Sequence, residues 1–235
     1  MLPIVNVRVS WKDHGSRVFA IHSNILEHCS PFFKTLLKSD SEAIKSEQEE
    51  EGPSEQDKMS TVDFEGSVVA FQLYTEWVYS GLIQKRLLKG TGAEDVCFHN
   101  IGQAYILGEK LQDHKFKNAI VDLLLDAIVT QGRVDLTLPT LIFDKSSAHA
   151  PLRELLVDLY VLYGHKDWLK PDGSINNSAV FLSDLSTAFL ARNNPDDLLT
   201  TNASTLNGCR YHEHPEGKLC PIARKHPREV VESNP

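Results

Sequence analysis

Val5, Val7 and Val9 alternate with Asn6 and Arg8 at the head of the chain, the period-two pattern of a strand with one buried face. Turn chemistry at Asp13-His14-Gly15-Ser16 then leads into Arg17-Val18-Phe19-Ala20-Ile21, so a β-hairpin is expected. The period changes at once afterwards. Ser23 is placed as N-cap of a helix over 24–29, and Ser30-Pro31 as cap and first residue of a second through Phe32, Phe33, Leu36 and Leu37. Thr61 to Phe64 is a short strand. Ser67 caps a helix in which Val68, Phe71, Tyr74, Trp77 and Val78 recur at helical spacing, with Gly81 as its left-handed stop. The same spacing runs from Glu94 to Leu111, and again behind Asp113 through Phe116, Ile120, Leu123, Leu124 and Ile128. Joined this tightly, the two form a helical hairpin. The fold class is α+β, a cluster of helices with a short β-sheet, and Trp77 is expected to anchor its core between the sheet and the helix pair.

Residues 39–58 hold six Glu, two Asp and no aromatic residue, too little apolar surface to offset the entropy of ordering, so an acidic disordered insertion is expected there. Beyond Gly132 the pattern is all helical, with pieces at Leu138 to Asp144, from Pro151 through Tyr163, and at Ser178 to Leu190. From Asn193 onward periodicity is lost among Asn, Asp, Pro, Thr and Ser. The chain therefore divides into a first domain at 1–130, a helical extension at 131–191 and a flexible tail at 192–235 that shares no core with the rest.

A net charge of −8, from 32 acidic and 24 basic residues, argues against a surface that releases counterions from nucleic acid or rests on anionic lipid. Protein partners are the default. No apolar run approaches the roughly 18 residues of a membrane span, and the first residues carry neither a signal-peptide core nor an Arg-rich presequence. A soluble protein of the cytoplasm or nucleus is expected. Four cysteines are too few for a disulfide scaffold; Cys29 and Cys97 lie inside helical patterns and are read as core or near-core thiols.

Particular residues go further. Phe19-Ala20-Ile21-His22, then Ile25-Leu26, then Ser30-Pro31-Phe32-Phe33, resembles the F-x-x-H, hydrophobic pair, S-x-F-F signature of BTB/POZ domains. Phe71, Tyr74 and Trp77-Val78-Tyr79-Ser80-Gly81 are similar to a later block of that family, and Tyr105 to Asp113 with Phe116-Lys117-Asn118 to its fungal version. The resemblance covers about 4–130. It implies a protein-interaction adaptor or scaffold without catalysis, in which Phe19, His22, Ser30, Phe32, Phe33, Tyr74, Trp77, Tyr79 and Gly81 are structural. A cullin-type ubiquitin ligase scaffold is one partner the family would suggest, although the acidic insertion occupies the connection that would meet it. Asn6 and Ser23 depart from the residue pair that often lines the family's dimer pocket, and only Met1-Leu2-Pro3 precede the first strand. A monomer or weak dimer is therefore expected instead of a strand-swapped one.

Catalytic patterns are missing from the sequence. There is no G-x-S-x-G elbow, Lys89-Gly90-Thr91-Gly92 lacks the third glycine of a dinucleotide loop, and His212-Glu213-His214 is not H-E-x-x-H. One cluster has metal-ligand character: Cys209, His212, His214 and Cys220 offer two thiolates and two imidazoles, the donors of a tetrahedral structural zinc. Their C-x2-H-x-H-x5-C spacing fits no common zinc module, so a disordered tail and a metal-free packed or partner-binding tail stand beside zinc. A zinc-binding tail would also suit a second function, a DNA-associated regulatory factor, which the acidic charge and the lack of a basic recognition helix disfavour.

Overall fold

The computed structural model describes residues 3–11, 15–47, 61–89, 96–132, 135–165, 178–191, 208–214 and 220. The valine alternation forms β1 (Ile4–Ser10), and Ser16–His22 forms β2. They pair antiparallel, with Val5 opposite Ile21 and Val7 opposite Phe19. Helices α1 (Ser23–Cys29) and α2 (Pro31–Glu47) then lead towards β3 (Thr61–Glu65). This strand lies parallel to β1 on its other side, giving the sheet order β2-β1-β3. One face of all three strands is buried through Val5, Val7, Val9, Phe19, Ile21, Val62 and Phe64.

Helix α3 (Val68–Ser80) packs on the sheet. Phe71 sits 5.1 Å from the Phe19 ring and 5.5 Å from Phe64, and Phe33 of α2 closes on the same group at 6.4 Å from Phe71. One turn further on, Tyr74 stacks edge-on against Phe116 at 5.0 Å. Tyr74 is fully enclosed, whereas Trp77 is half-buried at the rim, 5.9 Å from Phe116. The anchor between sheet and helix pair is thus Tyr74 with Phe71, and not Trp77 as expected.

Helices α4 (Phe98–Leu111) and α5 (His114–Gln131) form the expected hairpin. Glycines set its spacing: a Cβ on Gly108 would lie 2.7 Å from Lys117 Cγ in α5. One on Gly102 would lie 2.7 Å from Leu138 Cδ1 in α6 (Leu138–Lys145). Helix α7 (Pro151–Tyr163) follows, and α8 (Ala179–Ala191) completes the series. Leu138, Ile142, Leu152, Leu155, Leu156 and Leu159 belong to the same apolar core as the sheet residues, so one core contains residues from both sides of position 130. A smaller cluster joins Phe143, Tyr160 and Phe181 of α6, α7 and α8.

The local signals fare unevenly. Ser67 accepts the Ala70 amide as N-cap, Asp113 accepts that of Phe116 at 2.9 Å, and Gly81 ends α3 at φ 68°. Ser30 accepts from the Phe33 amide and donates to the Leu111 carbonyl at 2.7 Å, tying the start of α2 to the end of α4. Ser23, expected as a cap, is instead the first residue of α1, with His22 in the cap position and no side-chain bond there. The expected disordered insertion is corrected over 39–47, which continue α2 as helix. Extending an existing helix avoids the cost of nucleation, and Glu, Lys and Ala favour extension. Positions 48–58 lie outside the described residues. Among the described residues no helix is long and apolar enough to cross a membrane.

Candidate metal centre

Gly208–Tyr211 forms one 3-10 turn, and with it the expectation of a tail sharing no core fails. Tyr211 is only 1% exposed and belongs to the main apolar core. Its hydroxyl donates to Asp158 Oδ2 of α7 at 2.8 Å. Burial, reinforced by that carboxylate, pushes the phenol well above its ordinary range. Arg210 beside it reaches Glu154 at 2.5 Å and Asp158 at 3.4 Å.

The next residues face α5. Glu213 donates its backbone N–H to Asn118 Oδ1, and its carbonyl accepts from Asn118 Nδ2, both at 2.9 Å. Its carboxylate pairs with Lys117 Nζ at 2.6 Å and with His114. Burial alone would raise the Glu213 pKa, but its bonds to Lys117 and His114 hold it below the usual range. Lys117 is itself buried, bridging Glu213 to Glu109 at 3.0 Å. Removing a partner from a buried ion pair leaves charge uncompensated and is destabilising. The segment's docking is therefore specified by charge as well as by Tyr211.

Three of the four expected donors come together here, Cys209 and His214 from this segment and Cys220 beyond it. Ligand atoms of Cys209, His214 and Cys220 all lie within 4.8 Å of one another. Cys209 Sγ is 3.7 Å from His214 Nε2, and His212 Nδ1 is 3.4 Å from Cys220 Sγ. His212 meets the trio through Cys220, its ring centroid 5.7 Å from that of His214. Its other nitrogen, Nε2, is 2.9 Å from Asp122 Oδ1 on α5. Burial and the neighbouring Cys220 push the Cys209 thiol up. Burial opposes protonation of His212, but its bonds to Asp122 and Cys220 turn the net shift upward.

The sequence picked out the four donors. It missed Asp122, Tyr211, Asp158 and the Lys117–Glu213 pair, whose partners come from distant helices. Tyr211 did carry a signal, as a large aromatic between Cys209 and His212.

The signature residues form a separate group. His22 donates its backbone N–H to the Tyr79 hydroxyl at 3.1 Å, and that hydroxyl is 2.8 Å from His22 Nδ1. Phe19, Ser30, Phe33 and Tyr74 are buried, Phe32 half-buried, Tyr79 and Gly81 exposed. None of these nine touches the Cys/His group in a described contact.

The chain matches no protein-family model, and no curated protein is significantly similar to it.

Proposed function

We propose that this chain is a protein-interaction module of the BTB/POZ-like kind, an adaptor or scaffold with no catalysis of its own. The observation that carries the reading is the meeting of the resemblance blocks in one place. Phe19 from β2, Phe33 from α2, Phe64 from β3 and Phe71 with Tyr74 from α3 form a continuous aromatic cluster. Blocks that resemble a family signature in sequence order thus also make one core, with β3 returning parallel to β1. Phe19, Ser30, Phe33 and Tyr74 are occupied in packing, and the exposed faces are left for recognition.

One such face has the features of a docking groove. An open groove of about 440 Å³ runs between the end of the hairpin, the start of α3 and α4, lined by Trp11, Arg17, Val69 and His99 among others. Trp11 also borders an adjoining groove of about 250 Å³ beside Phe64 and Lys110. Tryptophan and arginine, both of which line this groove, are enriched among the residues that carry binding energy at protein interfaces.

The test is capture of cross-linked partners by the tagged chain from its source cells, run beside Trp11→Ala. A protein recovered in near-stoichiometric amount with the wild type and depleted with the variant is the expected result. Recovery of nucleic acid with steep salt dependence would instead favour the DNA-associated reading, and saturable turnover of a small molecule would overturn both.

A further inference from the structure

We propose that Cys209, His212, His214 and Cys220 bind one structural zinc ion, which clamps the C-terminal segment onto α5 with Asp122 orienting His212. Zinc bonds of about 2.3 Å to sulfur and about 2.0 Å to nitrogen, at tetrahedral angles, set sulfur–nitrogen edges at about 3.5 Å. The two sulfur–nitrogen separations here, 3.4 Å for His212–Cys220 and 3.7 Å for Cys209–His214, bracket that edge. Cys209, His214 and Cys220 are the trio whose ligand atoms all lie within 4.8 Å of one another; His212 touches it through Cys220 and would close in on the other two to complete the shell. Two thiolates with two imidazoles, all from protein, make a closed shell of the structural type and leave no open position for a substrate.

Asp122 supplies an independent observation. A metal-binding histidine commonly gives its second ring N–H to a carboxylate, which fixes the tautomer and raises the basicity of the ligating nitrogen. His212 has this arrangement: Nε2 faces Asp122 Oδ1 at 2.9 Å and Nδ1 faces Cys220. The carboxylate comes from α5, 90 residues away in sequence, so the metal would couple the C-terminal segment to the helical hairpin. Because Tyr211 sits inside the same turn and inside the main core, metal binding and stability of the whole chain become linked. Metal-bound folded protein is favoured by mass action.

Binding would release the protons of Cys209 and Cys220 to solvent and place both sulfurs on the ion as thiolates, with no change of oxidation state. The full chain, purified without chelator from zinc-supplemented cells, should carry about one zinc per molecule by elemental analysis. All four thiols, Cys29, Cys97, Cys209 and Cys220, should titrate after denaturation with chelator. Cobalt added to metal-free chain should give the visible bands of a tetrahedral, thiolate-bound ion. Cys220→Ser should lose the zinc, and Asp122→Asn should keep the stoichiometry but bind about 10–100-fold more weakly in chelator competition. Zinc-free wild type with four reduced thiols and no cobalt spectrum would overturn the proposal. So would zinc-free protein with only two titratable thiols, which would make Cys209 and Cys220 a disulfide, and so would an Asp122→Asn affinity equal to the wild type.

Discussion

Asp113 concentrates several demands in one side chain. It is 4% exposed, caps α5 through the Phe116 amide and accepts the Tyr74 hydroxyl at 3.2 Å. Burial raises its pKa above the ordinary 3.8, and the hydrogen bonds from Phe116, Tyr74 and Lys115, with the Lys115 charge, only partly offset that. A carboxyl whose folded pKa is raised binds its proton more tightly folded than unfolded, so its contribution is fully present below pH 3.8 and is lost as pH rises through the folded value. Asp113→Asn keeps a capping oxygen, since Asn ranks with Asp at N-caps, and removes the titration. The expected result is a melting temperature at neutral pH equal to or above the parent, with the parent-minus-variant difference growing more negative as pH rises above 3.8; a difference independent of pH would contradict it. Tyr74→Phe leaves the carboxylate one donor short and should cost roughly 1–2 kcal/mol in denaturant unfolding.

Among the elements, the α4–α5 turn and the 208–214 segment make opposite predictions. Gln112 ends α4 at φ 57°, the one described non-glycine residue with a left-handed backbone. That conformation costs an ordinary residue on the order of 1 kcal/mol, so Gln112→Gly should raise the melting temperature slightly, and a fall would contradict the strain. Tyr211→Ala should instead cost roughly 3–5 kcal/mol, the loss expected for a large buried ring. If unfolding were unchanged, the turn would not belong to the core. The contrast also marks what could be read in advance. Ser30, Ser67, Asp113 and Gly81 were legible because a cap acts within three or four residues. Cys209, His212, His214 and Cys220 were legible as candidate donors by residue type. Asp158 and Asp122 were not, because nothing near Tyr211 or His212 in sequence announces a carboxylate 53 or 90 residues away. Helix at 39–47 escaped for a related reason: its composition favours disorder in isolation, and only its continuity with the packed start of α2 makes it helical.

At the scale of the whole molecule, the −8 charge and the aromatic core fit a chain whose function lies on its surface. Sedimentation at low micromolar concentration should give a species near 26.4 kDa or a weak, concentration-dependent dimer; an obligate dimer would contradict the expectation of a monomer or weak dimer. If this surface recognises a protein, titration calorimetry of the captured partner should give saturable binding to the wild type and, for Trp11→Ala, a loss of at least about 2 kcal/mol, roughly 30-fold in Kd, with both proteins melting alike. Equal affinity for the two, or no saturable protein binding by the wild type, would contradict it.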